Sequence, residues 1–496
     1  MLPLTIICIV SFYVRLSDLD RPIQYDEAYT YIKYVSRPFW HAIHTYNLPN
    51  NHVFHSLCAW LSVRVFGDGQ QALRLPVFLA GIALVPMCYL LGKRASGSLS
   101  GLVAAALAGA SYHLVDYSVN ARGYGMQAAL YVFSLWLAPK MVSQTGLGTV
   151  IWLSMALALA MFTVPTLVFG AGTVFIWALW LVLQQRAGQR KKALLRIVLA
   201  GLFSSVFTLA LYAPVIHYLL TNRLRLKGDI LYGDLPAYAT RLARYLDSDL
   251  SGNLAWLVAV AILIGWLIDS IKRRGFSLAL LWLIWPVLTV LLHERLSVKA
   301  PFERSFVFLL PLLYILAGHG VSCLLSVFPA KSTTPVGRAA ALFTLALFAW
   351  PVYQTHARNL KARAVEYRNP EIGYRRITEL LRVGDHIALS EMFLERLRFY
   401  ARASGDFRFK TKGRRNWKLT VTQLLDRQSR SFHCFALGSR IFMMQIYGHE
   451  KARTLRWLRR HTGYHYFDFR PVWQSRDSDG RRMILWRVTR RMNLSR

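Results

Sequence analysis

Long apolar runs separated by short polar loops recur from the N-terminus to about residue 354 and then stop. Twelve segments stand out, at 1–16, 52–66, 72–91, 98–114, 124–138, 149–163, 166–183, 197–219, 252–270, 276–292, 304–325 and 339–354. Most approach the ~20 residues that a helix needs to cross a bilayer. Segment 52–66 is shorter and contains His52, His55 and Arg64, so it reads as an amphipathic helix lying along the interface. Pro165 and Pro286 each remove a backbone donor inside apolar sequence and predict kinked or broken helices. Beyond 354 the pattern changes. Stretches 377–382 and 396–402 have helical periodicity, 384–389 reads as a turn into a buried strand, and 432–436 and 483–488 are strand-like. The expected fold is a polytopic α-helical membrane domain over 1–354, followed by a small α/β domain over 355–496.

The basic loops decide which segments cross. Lys93 with Arg94, five basic residues within 186–196, Lys272 with Arg273 and Arg274, and the run 331–338 are short cationic loops expected on the cytoplasmic side, with Lys140 a weaker member. If all twelve segments span from an inside N-terminus, these loops fall outside. If 52–66 stays at the interface, all of them fall inside, which leaves eleven spans. That arrangement gathers the outer loop 17–71, residues 116–122, the loops 220–251 and 293–303, and the C-terminal domain on one outer face.

Composition sharpens this picture. The 496-residue chain is 54% hydrophobic with a mean hydropathy of +0.31, and its 60 Lys+Arg against 25 Asp+Glu give a net charge of +35. From residue 355 onward there are 32 basic and 12 acidic residues, so +20 resides in the last 142. Such charge beside a membrane suits anionic lipid head groups or an anionic polymer, and the many spans argue against nucleic acid. Residues 2–14 lack a basic n-region and a small-residue cleavage site, which predicts a first span or signal anchor. Cys8, Cys58, Cys88, Cys323 and Cys434 show neither CxxC nor Cys/His ligand spacing, so no cysteine-based zinc site or disulfide framework is expected. The absence of an internal repeat weakens a reading as an inverted-repeat transporter. Against this basic background Asp26 and Glu27 stand side by side. Carboxylates are costly at a membrane face unless they serve something there, although an ordinary acidic interfacial loop is the simple alternative.

Four stretches, in order and on one predicted face, carry a resemblance. They are Tyr25-Asp26-Glu27; Pro49-Asn50-Asn51-His52 with the helix ending at Phe66-Gly67 and then Leu73-Arg74-Leu75-Pro76; Tyr117-Ser118-Val119-Asn120-Ala121-Arg122-Gly123-Tyr124; and Pro301-Phe302-Glu303-Arg304 leading to Leu310-Pro311. Together they resemble the GT-C glycosyltransferases, in particular the branch of protein O-mannosyltransferases and lipid A aminoarabinose transferases. Relatives often have His-Pro-Pro or Lys-Pro where this chain has Asn-Asn-His.

The resemblance implies a sugar donor on a polyprenyl or dolichyl phosphate, a hydroxyl acceptor on a lipid, glycan or protein, and an inverting single displacement at the outer face of the cytoplasmic membrane. Transfer needs a base for the acceptor proton and cations for the departing phosphate. Asp26 is the candidate base, and Glu27 its partner or simply a carboxylate at a helix N-terminus. Arg122 and Arg304 are candidate phosphate ligands, with snorkelling to head groups the alternative. His52, Asp116 and Lys299 are further candidates, and Tyr29, Tyr31 and Tyr124 offer rings to a sugar. No Asp-x-Asp or His cluster compels a metal, although some GT-C members use one, and none is assigned. A lipid-linked-sugar flippase would need ionisable residues near mid-bilayer, and these are scarce; a non-catalytic scaffold with a basic domain is the other alternative. Catalysis is expected to survive loss of the C-terminal domain better than loss of Asp26.

Overall fold

The computed structural model describes residues 2–46, 50–143, 146–216, 240, 243–245, 247–249, 254–271, 303–326, 350, 353–354, 357, 386–389, 391–403, 421–423, 441–445, 467–476 and 482–490. The apolar segments 276–292 and all but a few residues of 339–354 lie outside them, as do Pro286, Lys299, and the stretches 377–382 and 432–436. Two compact units emerge. The first comprises Met1–Asp20, Arg37–Gly67 and Gln71–Arg358; the second comprises Arg21–Ser36, Asp68–Gln70 and Asn359–Arg496.

The first unit is helical. Its elements are α1 (Leu2–Leu19), α3 (Phe39–His44), α4 (Val53–Phe66), α5 (Gln70–Ala110), α6 (Tyr112–Asp116), α7 (Tyr124–Ser143), α8 (Gly148–Thr163), α9 (Val168–Leu183), α10 (Ala187–Tyr212), α11 (Leu254–Ile271) and α12 (Leu310–Leu325). By length and composition five described helical stretches can cross a membrane: Leu2–Leu19, Gln70–Ala110, Pro165–Leu183, Ala187–Val215 and Glu303–Leu325. Val53–Phe66, Gly148–Thr163 and Ala255–Asp269 are shorter apolar helices. The chain is a multi-pass helical membrane protein.

Two breaks follow from local sequence. Within α5 the helix stops at Ser96 and Gly97, where φ of Gly97 is +87°, a conformation glycine adopts without steric cost. The two halves then pack against each other: a Cβ on Gly92 would lie 3.0 Å from the Gly101 Cα. Between α8 and α9, Val164 is extended (φ −142°, ψ 117°) and Pro165 opens a single 3₁₀ turn. The cationic stretch 186–196 differs from expectation. It is the first part of α10, because Ala, Gln, Lys, Arg and Leu are good helix formers and no breaker follows Ala187 beyond Gly188.

Burial in α10 runs opposite to that of a soluble helix. Ala193, Ala200 and Ser204 face inward while Leu195, Val198, Leu202 and Leu209 are exposed. Small residues let backbones approach, and Ser154 Oγ donates to the Ala200 carbonyl at 3.1 Å. The same inversion holds for α4, which buries His55, Ser56 and Ser62 and exposes Leu61, Val65 and Phe66. Charges inside the bundle are tied to backbone. Arg15 reaches the carbonyls of Ser11, Gly109 and Ala108 and the Ser118 hydroxyl, and Arg74 donates to the Leu19 carbonyl at 2.8 Å.

The second unit combines α2 (Tyr25–Thr30), which continues as one π-helical turn over Tyr31–Val35, with helix α13 (Glu391–Ala403) and a five-stranded sheet. The strands are β1 (His386–Leu389), β2 (Val421–Gln423), β3 (Ile441–Gln445), β4 (Phe467–Arg476) and β5 (Arg482–Arg490), in the order β2-β1-β3-β5-β4. β1 pairs in parallel with β2 and β3, whereas β3–β5 and β5–β4 are antiparallel. Pro471 sits at the register shift in β4, an edge strand where a missing N–H is tolerated.

Candidate active site

In the first unit the Asn50-Asn51-His52 stretch divides its labour. Asn51 is an anchor: its Nδ2 donates to the carbonyls of Ala42 (3.0 Å) and Thr45 (2.8 Å), and its Oδ1 accepts from Ser56 (2.8 Å). This fixes the start of α4 and the backbone that carries His52. His52 is buried, and its Nδ1 accepts the Gly123 N–H at 2.7 Å. Burial chiefly, and then the charges of Arg122, His55 and Arg304, hold its pKa well below the ordinary 6.5. A neutral ring whose Nδ1 is an acceptor carries its proton on Nε2.

That proton faces another donor. Arg122 Nη2 lies 3.3 Å from His52 Nε2 and 3.4 Å from Tyr124 Oη. Arg304, 180 residues from Tyr124, donates through Nε to the same hydroxyl at 3.2 Å. Tyr124 thus joins the two arginines, while its ring packs edge-on against His52 (4.7 Å) and Tyr117 (4.9 Å) and lies 5.5 Å from the Arg122 guanidinium. Two guanidiniums and an imidazole N–H concentrated in a mostly buried place form an environment that favours an anionic oxygen. Tyr46 borders it; burial raises its pKa, Tyr124 adds to the rise and the Arg122 charge opposes it. Asp116 ends α6 and, after burial, is the next influence that pushes the Tyr117 hydroxyl upward, opposed by Arg304 and Arg122.

The sequence reading brought Arg122, Arg304 and His52 to one face; the structure brings them onto one tyrosine. It did not identify Tyr124 as their hub, nor Gly123. A methyl group on Gly123 would press on Thr163 and stand 2.9 Å from His52 Nδ1. Gly123→Ala should therefore displace the imidazole and cost about 1–3 kcal/mol in stability, read as a lower melting temperature in detergent together with weaker binding of a lipid phosphate. Asp249 is a further buried polar residue of this unit. Its buried carboxylate accepts from Ser111 Oγ (2.8 Å), the His113 N–H (2.6 Å) and Tyr314, while His113 stacks on Tyr245 at 3.9 Å. It fastens residues 247–249 to α6, the helix that ends at Asp116. No local pattern distinguishes it from Asp247.

Asp26 and Glu27 belong to the second unit. Glu27 is the third residue of a reciprocal cap on α2: its Oε2 accepts the Gln24 N–H at 2.9 Å and the Gln24 side chain accepts from the Glu27 backbone. Glu27 is fully buried, and its carboxylate caps the N-terminus of α2. Asp26 beside it is half-buried. The segment is clamped by α13. Tyr31 packs edge-on against Phe399 (5.0 Å), Tyr400 Oη accepts the Ile23 N–H (3.0 Å), Arg402 donates to the Ser36 carbonyl (3.2 Å), and Lys33 pairs with the buried Glu395 (3.9 Å).

The fold is that of the GT-C glycosyltransferases. Residues 51–209 match the family model described as dolichyl-phosphate-mannose-protein mannosyltransferase. The crystal structure of ArnT from Cupriavidus metallidurans in the apo state superposes with a TM-score of 0.60 at 14% identity, covering 97% of each chain. ArnT from the same organism bound to undecaprenyl phosphate gives 0.58 at 15% identity, again over 97% of each chain. A search of curated proteins by sequence finds no match.

Proposed function

We propose that this protein is an inverting glycosyltransferase that moves a sugar from a polyprenyl-phosphate donor to a hydroxyl acceptor at the outer face of the cytoplasmic membrane. The observation that carries the reading is the convergence of Arg122, Arg304 and a neutral His52 around Tyr124. The ArnT fold supports it, since an ArnT has been solved with undecaprenyl phosphate. In this reading the acceptor oxygen attacks the anomeric carbon, the bond to the phosphate oxygen breaks, and Asp26 takes the acceptor proton. Arg122 and Arg304 receive the charge that grows on the departing phosphate, and His52 Nε2–H adds a neutral donor. Glu27 keeps the Asp26 helix in register through its cap. Asp116 and Lys299 are secondary candidates for the same phosphate region.

The test is transfer of labelled sugar from polyprenyl-phosphate donors by the purified full-length protein. Arg122→Ala and Arg304→Ala should each weaken donor binding by roughly tenfold or more, since a hydrogen bond to a charged group is worth about 1.5–3 kcal/mol. Parent-like donor affinity in both variants would remove the phosphate assignment.

A further inference from the structure

Away from the arginine site, α11 and α12 carry a second polar cluster. The two helices pack backbone to backbone: a Cβ on Gly265 would stand 2.9 Å from the Gly320 Cα, and one on Gly320 would run into the Ala261 carbonyl. Such contacts set the spacing and rotation of membrane helices. Here they put Asp269, one turn beyond Gly265, beside His319, the neighbour of Gly320. His319 Nε2 lies 2.9 Å from Asp269 Oδ2. Cys323 follows four residues later on the same helix face, and its Sγ is 3.6 Å from that nitrogen. The other ring nitrogen, Nδ1, is bonded to Ser96 Oγ at the break in α5. Cys323 stands about 20 Å along α12 from Leu310 at ~1.5 Å per residue, so the cluster is separate from Arg304 and Tyr124.

We propose that Asp269, His319 and Cys323 bind a divalent cation of the zinc class. One thiolate, one imidazole and one carboxylate form the mixed donor set that zinc accepts with three protein ligands and a water. The geometry fits. Zn–S and Zn–N bonds of about 2.3 and 2.05 Å at a tetrahedral angle separate sulfur and nitrogen by roughly 3.6 Å, the separation already present. All three ligand atoms lie within 4.8 Å of one another. The carboxylate oxygen must withdraw by roughly 0.4 Å from its 2.9 Å contact with Nε2, and the imidazole must turn, because Sγ also lies 3.8 Å from Nδ1 and so sits toward the ring. The side chains of His319 and Asp269 are 18% and 20% exposed, so neither is sealed inside the packed helices.

Without the ion, the Ser96 hydroxyl donates to Nδ1 and Nε2–H donates to Asp269, so the imidazole is satisfied at both ends. On binding, the ring changes tautomer and Nδ1–H donates to Ser96, while the Cys323 thiol releases its proton. The spacing His319-x-x-x-Cys323 is a one-face pair only because this segment is helical, and its third ligand lies 50 residues away.

The test uses full-length protein in detergent, stripped with EDTA and titrated with Zn(II) by calorimetry and with Co(II) by absorption. One equivalent should bind per chain, and Co(II) should give a thiolate charge-transfer band with tetrahedral d–d absorption. Cys323→Ser, a single-atom change that preserves packing, should abolish the charge-transfer band and weaken Zn(II) binding at least tenfold; Asp269→Asn should weaken it comparably. Zn(II) should raise the melting temperature of the parent chain and not that of Cys323→Ser. Failure of the parent chain to bind, or an isotherm unchanged in both variants, overturns the site. Neither readout depends on sugar transfer.

Discussion

Asp26→Asn is expected to lower turnover by about 10²–10⁴-fold, the usual contribution of a positioned general base, while leaving donor binding largely intact. Asparagine keeps the shape and hydrogen-bonding reach of aspartate but cannot take up the acceptor proton. The first turn of α2 should persist, because the Gln24–Glu27 cap is untouched. Glu27→Gln should have an intermediate effect, since an amide oxygen can still accept the Gln24 N–H but without charge. Single-turnover transfer from a labelled polyprenyl-phosphate sugar, measured beside equilibrium donor binding, separates the two outcomes. An Asp26→Asn protein that is correctly inserted and transfers at the parent rate would move the base elsewhere, with Asp116 and Asp247 the next candidates among the described residues.

Removal of residues 359–496 is expected to abolish activity altogether, an effect larger than the sequence alone suggests, from which catalysis is expected to survive this loss better than loss of Asp26. The reason lies in how the acidic segment is held. Helix α2 has six residues and the π turn five, well short of the ~12–15 at which an isolated helix becomes even marginal. Its stability comes from packing within the second unit, where Ile23, Ala28, Tyr31 and Val35 are fully buried and Tyr31 meets Phe399. Burying each large apolar side chain contributes about 1.5–3 kcal/mol, so without α13 the segment loses most of what orders it. A milder version is Phe399→Ala, which leaves the sheet and the remaining clamp in place. It should reduce kcat through disorder of the Asp26 helix, with a smaller effect on donor affinity. A correctly inserted truncated chain with parent turnover would show that the acidic segment stands alone.

Much of the architecture was legible because its causes are local. Lipid-length apolar runs, the basic pair Lys93 and Arg94, and Pro165 mark helix ends at positions where the structure has them, at Ser96 and Gly97 and at Val164. Strand alternation likewise anticipated β1 and β5, and helical period anticipated much of α13. The 186–196 stretch shows the limit of the same reasoning: charge marks a membrane boundary but says nothing about whether the backbone is coiled there.

The sequence by itself determined a helical membrane protein with a basic C-terminal part, and it supplied the residue types proposed for the chemistry: an acidic pair, two arginines and a histidine. Tertiary structure decided how those groups are held. It placed Arg304 on Tyr124 across 180 residues, fixed the tautomer of His52 through the Gly123 N–H, and joined residues 21–36 to α13. The physical reason is range. Helix and span formation are set by periodicity and solvation over one or two dozen neighbouring residues, whereas side-chain meetings depend on how complete helices pack, and glycines such as Gly123 and Gly320 matter only when their packing partners are known.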